Sequence, residues 1–328
     1  MVVGNFTRDF LIFPNGEAQN DVIGGNVLFS AAGLGLWDQN IGLIGAISEE
    51  YPMEWLQQAN NRGFDTRGVQ IFPDYFDHRS FIAYKTLEEP DYKNPIFHYS
   101  KHGHPFPKAL LGYVDNRVRN PKQNGQQSLL KIKNIPFDYL DVTGVHISSI
   151  DYSLQSRLPT FFRQGHATTI TLQASSEYMN STYSDLVPPI LKDINAFICT
   201  EAQIRELFYG KTSNIWDMIA ELDIYGCEII IVFTNKKTFL LWDHSSKRKY
   251  EIPLYPTKMV DPTGLIDSFS GGFISGLRSH QNPVKATLQG SISASFTIEG
   301  RGPFYCLDAL PQLVRARLDS LSNYITEI

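Results

Sequence analysis

Asp261-Pro262-Thr263-Gly264-Leu265-Ile266-Asp267-Ser268-Phe269-Ser270-Gly271-Gly272-Phe273 is the stretch on which the reading of this chain turns. Pro262 and Gly264 close a turn. Leu265, Phe269, Phe273 and Leu277 then recur every fourth residue, the stripe of an amphipathic helix. Asp267 falls in the first turn of that helix. Unpaired backbone N–H groups gather there, and the positive end of the helix dipole faces whatever lies in front. A phosphate fits that position, with a carboxylate beside it. Phosphoryl transfer to a hydroxyl uses the same two parts, donors to hold the anion and a carboxylate to take the proton. An ordinary capped helix would carry the same local pattern.

Strands and helices alternate upstream of this stretch. Residues 142–149, 167–172, 196–199, 228–233 and 239–242 read as strands. Helical periodicity fills 154–164, 184–192, 201–209 and 215–225, and two more helices are expected over 283–296 and 308–325. That alternation predicts an α/β fold with a mainly parallel sheet covered by helices on both faces. In the first part, 2–6 reads as a strand and Pro14-Asn15-Gly16 as a hairpin. Gly24-Gly25 precedes a helix over 31–36, 40–47 is a strand, 52–62 a helix and 80–86 an alternating strand. Residues 88–134 are rich in Pro, Asn, Gln, Lys and His and carry weak periodicity, as functional loops and insertions do.

The chain has 328 residues, 42% hydrophobic and 19% charged, enough for a sizeable core in one large domain or two small ones. A net charge of −5 leaves no electrostatic footprint for nucleic acid or an anionic membrane. No apolar run reaches spanning length, and Met1-Val2-Val3-Gly4 opens as a strand and not as a signal peptide. Cys199, Cys227 and Cys306 are odd in number and set among apolar neighbours, which suits reduced thiols in a cytoplasmic protein. Gly210-Lys211-Thr212 lacks the first glycine of a P-loop and follows a helix, so it is set aside. His98, His102 and His104 read as a polar loop.

The Asp-Pro-Thr-Gly turn, the Asp267 behind it and the Gly24-Gly25 pair together resemble the two signatures of the ribokinase-like (PfkB) carbohydrate kinases. The resemblance covers most of the chain. It implies one ribokinase-like domain over 1–328, with a small β lid built from about 8–20 and 70–105. It implies Asp267 as the catalytic base, with the backbone of Gly264, Leu265 and Ile266 as the anion hole. Leu265-Ile266 replaces the family's Ala-Gly there and adds bulk. By the same resemblance Asp9, Gly24, Gly25 and Asn26 hold the acceptor, and Arg79 reaches it from the lid. A carboxylate that accepts two hydroxyl hydrogen bonds suits a polyol, although Asp9 also reads as a surface turn residue. Phe29 stands where many members carry Asn, and reads equally as a core aromatic.

ATP and Mg2+ are the implied cofactors. Thr234, Asn235, Thr263 and Gly264 fall at the nucleotide positions, although Asn235 and Thr238 replace the family's two glycines and the turn also reads as a plain hairpin. Thr200 and Gln203 stand for the family's Asn-x-x-Glu, leaving Glu201 as the candidate near the metal. Thr200 reads equally well as a helix N-cap. The resemblance thus implies ATP-dependent phosphorylation of a hydroxyl on a sugar or nucleoside-like molecule. The alternatives are a non-catalytic kinase-fold sensor or scaffold and a nucleotide-independent sugar-binding module. An exposed lid strand could pair two copies into a homodimer.

Overall fold

The computed structural model describes residues 1–115, 121 and 129–328. Its strands are β1 (Val2–Val3), β2 (Thr7–Ile12), β3 (Ala18–Gly24), β4 (Gly42–Ser48), β5 (Asp65–Phe72), β6 (Arg79–Thr86), β7 (Glu89–Asp91) and β8 (Gly144–Ile147). They continue with β9 (Thr169–Gln173), β10 (Ala196–Thr200), β11 (Ile229–Phe233), β12 (Thr238–Asp243), β13 (Arg248–Pro253) and β14 (Thr326–Glu327). The helices are α1 (Asn26–Gly35), α2 (Met53–Asn61), α3 (Pro95–Lys101), α4 (Tyr152–Gln155), α5 (Leu158–Arg163) and α6 (Val187–Leu191). After them come α7 (Glu201–Leu207), α8 (Ile215–Asp223), α9 (Leu265–His280), α10 (Pro283–Thr297) and α11 (Pro311–Leu321).

A ten-stranded sheet runs in the order β14-β13-β12-β11-β10-β9-β8-β1-β4-β5. The pairs from β11 through β5 are parallel, and β12, β13 and β14 are added antiparallel at one edge. Alternate residues of each inner strand feed opposite cores. Phe197 and Cys199 join the cluster with Leu154, Phe162, Ile190, Ile204 and Ile219, whereas Ala196 and Ile198 join the cluster with Phe269, Phe273 and Ile292. Helices therefore cover both faces, as the alternation of elements predicts. Chain order reverses on either side of β1, which places a crevice at the carboxyl ends of β1 and β8.

A second sheet, β3-β2-β6-β7, forms the lid. Its boundaries differ from the expected ones. The opening strand stops at Val3, and residues 7–12 form a separate strand of the lid sheet. Asp9 thus lies within β2 instead of closing a strand of the central sheet. β5 belongs to the central sheet, so the second lid segment begins at Arg79. Within residues 88–134, α3 is a real helix and carries His98, buried against Phe81 and 3.4 Å from Asp91. The polar-loop reading fails for that histidine. Residues 116–120 and 122–128 of that segment lie outside the described residues.

Two helices that begin at the site cross at very short range. A Cβ on Gly33 would overlap the carbonyl of Ser268, and one on Gly271 would overlap the carbonyl of Ser30. Small residues on both helices allow that approach, with Ser30, Ser268 and Gly271 all buried. The crossing sets Phe29 of α1 against the turn before α9, where a Cβ on Gly264 would overlap the Phe29 ring. Gly264 also holds φ +77°, so side chains are refused there on two grounds. Gly264→Ala should cost about 2–4 kcal/mol in a denaturant melt, from left-handed strain plus overpacking. Phe29→Leu in the same chain should return the overpacking part and leave the backbone part.

Candidate active site

The carboxyl ends of β4, β8, β9, β10 and β11, the N-terminus of α9 and the underside of the lid form one rim. Gly264 precedes α9 in the left-handed conformation, and no side chain caps the helix. By contrast α7, α8 and α10 are capped by Thr200, Asn214 and Asn282. An anion in front of α9 would supply what a cap supplies elsewhere. Thr263 donates its N–H to Asp261 Oδ1 at 2.9 Å, and burial pushes the Asp261 carboxyl above its ordinary range. Leu265 points into the core beneath α9 and Ile266 packs partly against the same cluster. The side chain of Leu265 is therefore directed away from the front of the helix.

Asp267 is half-buried in the first turn of α9. Burial pushes it up to about 6, against the opposing effect of Gln173, whose Nε2 donates to Asp267 Oδ1 at 2.9 Å. A carboxyl tuned near neutrality suits a general base. Gln173 ends β9, and nothing in the sequence pairs it with a residue 94 positions away.

Asp9 is buried in β2 and accepts a 2.6 Å hydrogen bond from Thr7 Oγ1. Gly24 lies across the ladder from Thr7, and a Cβ there would overlap the Asp9 carboxyl. Gly25, at φ +116°, lets the Asn5 carbonyl and the Phe6 backbone approach equally closely. The glycine pair therefore makes room for Asp9 as well as opening α1. His78 accepts the Ser48 N–H at 2.9 Å, and burial holds its imidazole down at about 4, so it is neutral at physiological pH.

Several expected contacts are engaged elsewhere. Asn26 accepts the Asn5 N–H and donates to Ser149 O, both at 2.7 Å, so its amide ties together the chain beyond β1 and β8. Arg79 pairs with Asp77 through Nε and Nη2, and its Nη1 donates to the Ala109 and Leu111 carbonyls. Its guanidinium braces the lid. Thr200 and Gln203 form a capping box on α7, and Gln203 Nε2 also reaches the Ala174 carbonyl. Thr234 shares a hydroxyl contact of 2.7 Å with Thr238 inside the β11–β12 turn.

Glu201 pairs with Arg205 at 2.7 Å and accepts the Asn235 N–H at 3.0 Å. Burial raises its carboxyl, but those two partners outweigh burial and hold it below its usual range. No group of three or more His, Cys, Asp or Glu suited to a metal occurs among the described residues. Glu201 is thus already engaged by Arg205 and by the Asn235 N–H.

The lid is latched to this rim by direct side-chain contacts. Tyr84 of β6 places its hydroxyl 2.8 Å from Thr263 Oγ1 and stacks on Phe13. Arg301 lies over the Phe13 ring at 4.8 Å and forms a paired salt bridge with Glu17. Lys237 of the β11–β12 turn reaches Glu88 at 2.7 Å.

No protein-family model matches the chain. It is 26% identical over 276 residues to cytidine kinase from Thermococcus kodakarensis, covering 84% of this chain and 87% of the relative. Among solved structures it superposes on the nucleoside kinase of Methanocaldococcus jannaschii, an archaeal member of the ribokinase family, with TM-score 0.65, 17% identity and coverage of 97% and 98%. Fructokinase with bound ATP from Xylella fastidiosa gives TM-score 0.72 at 11% identity, covering 98% of each chain. The fold is that of ribokinase. The chain is similar in sequence to a cytidine kinase and in fold to ribokinase-family kinases. Among the described residues no helix is long and apolar enough to cross a membrane.

The raised carboxyl gives a sign that thermal melts can read. Free Asp titrates near 3.9, roughly two units below Asp267 in the fold. The folded protein therefore holds the proton more tightly, and stability is lost as pH rises from about 4 through about 6. Asp267→Asn should melt higher than the parent at pH 8, by the equivalent of up to about 3 kcal/mol. The gap should close below pH 4.

Proposed function

We propose that this protein transfers the γ-phosphoryl group of ATP to a hydroxyl of a nucleoside. The observation that carries the reading is Asp267, half-buried at the uncapped N-terminus of α9, with its carboxyl pushed up to about 6 by desolvation. The 26% identity to a cytidine kinase over most of both chains supports a nucleoside over a free sugar. The fructokinase with bound ATP supports ATP as the donor.

In this reading the acceptor lies beneath the lid with its ribose hydroxyls on Asp9, the carboxylate for which Gly24 makes room. The reacting hydroxyl faces Asp267, which takes its proton as the oxygen attacks phosphorus. The backbone of Gly264 to Asp267 and the positive end of α9 oppose charge growing on the transferred group. The Tyr84–Thr263 contact closes the lid over the turn and keeps water from the phosphoryl group. Thr234 and Asn235 border the nucleotide side, and their turn is steadied by Glu201.

A second reading is favoured by one feature. Thr200, Glu201 and Gln203, at the family's metal-ordering position, are all committed to structural bonds. A kinase-fold protein that binds its ligands without turnover would show the same.

A panel of nucleosides and sugars, assayed for ADP release and phosphorylated product, separates the two. Product from a nucleoside is expected, with sugars poorer. Asp267→Asn should lower kcat by about 100- to 10,000-fold while leaving acceptor binding nearly unchanged. Unaltered turnover in that variant would remove Asp267 from the chemistry, and binding without product in the parent would favour the second reading.

A further inference from the structure

The bond from Gln173 to Asp267 belongs to a buried amide relay. Gln155, fully buried in α4, donates through Nε2 to Ser148 O and to Gln173 O, each at 2.8 Å. One side chain thus pins the carboxyl ends of β8 and β9 together. The backbone so fixed carries the Gln173 side chain, whose Nε2 meets Asp267 Oδ1 while Ser270 Oγ lies 3.4 Å from Oε1. Ser270 donates its one hydroxyl proton to the Ile266 carbonyl at 2.8 Å, so its oxygen only neighbours the far end of the Gln173 amide. The Gln173 amide is thus oriented by the backbone that carries it and by its own bond to the carboxylate.

Among the described residues no charged side chain performs this task at Asp267. α1 and β9 contain no titratable side chain. α10 carries only Lys285, in its first turn, and β8 only His146, which is buried, held down at about 3 by burial and bonded to Thr171. On α9 itself Arg278 and His280 lie in the last turn, and Arg278 pairs with Asp38. Only burial and Gln173 enter the balance at Asp267.

We infer that Gln173 is a positioning residue for the reaction, holding the Asp267 carboxylate in one orientation through a single neutral hydrogen bond to Oδ1. The inference rests on the kinase reading for its role in turnover, but not for its effect on Asp267. A neutral donor has a chemical advantage over Lys or Arg here. It selects the ionised carboxylate without an ion pair that would make the base weak, and without a cation that would compete for the incoming phosphate.

The test is a carbon-13 carboxyl titration of Asp267, assigned by its loss in Asp267→Asn, alongside kcat/KM against pH. Gln173→Leu removes the donor and Gln173→Glu keeps the shape, which covers the case in which the leucine variant folds poorly. Gln173→Leu should raise the Asp267 titration by about one unit or more. The acid limb of kcat/KM should move up by the same amount, with a loss of about fivefold at pH 6 that approaches tenfold at lower pH and fades toward pH 8.5. Gln173→Glu should move both further, because two carboxyls then share one proton. An unmoved Asp267 titration in both variants would overturn the inference, as would a loss of turnover equal at every pH. A parent protein without turnover would sink the kinase reading alone, since the titration reads Gln173 regardless.

Discussion

The site depends on the close crossing of α1 and α9. Each helix begins at one of the two glycine turns, and the pair can approach only because Ser30, Gly33, Ser268 and Gly271 are small. The crossing presses Phe29 against Gly264 and so fixes the turn in front of α9. It also sets Asp267 at the end of β9, within reach of Gln173. Separating the helices by the width of one methyl group would disturb the turn and the carboxylate together. Packing density in protein interiors leaves little slack to absorb such a shift.

Around that crossing the polar groups divide by task. Asn26, Gln155, Arg79, Thr200 and Gln203 are spent on backbone carbonyls, backbone N–H groups or local partners. They hold strand ends, the lid and a helix start in register. Asp267 and the α9 terminus are left for a ligand. The lid belongs to the same scheme, because its contacts fall on Thr263, Arg301 and Lys237, each on a turn bordering the proposed phosphate site. A closed lid and an ordered phosphate turn are therefore coupled through these contacts, and ligand binding on one side should be felt on the other.

Much of this could be read from the chain, for reasons that are local. The α9 stripe, the turn at Gly264 and the placement of Asp267 follow from helical period and turn chemistry alone. The parallel sheet follows from its apolar strands. β5 escaped because Arg67 and Gly68 interrupt its apolar pattern, and β13 because Arg248, Lys249 and Glu251 make it polar. The single helix expected over 154–164 is two, α4 and α5, with Pro159 in the first turn of the second. At the site, residue types were legible but their commitments were not. Asn26 and Arg79 carry the right chemistry for a ligand, and only three-dimensional distances reveal that their hydrogen bonds are already made. Gln173 and Tyr84 gave no signal, since their partners lie 94 and 179 positions away.

The most direct test of the account is a calorimetric titration with Mg-ATP, in the presence and absence of a nucleoside. An open phosphate site before α9 predicts saturable binding at cellular ATP concentrations, strengthened when the nucleoside closes the lid. No heat under either condition, from protein shown to be folded, would mean that the turn between Asp261 and Asp267 does not accept a triphosphate, and would contradict the account.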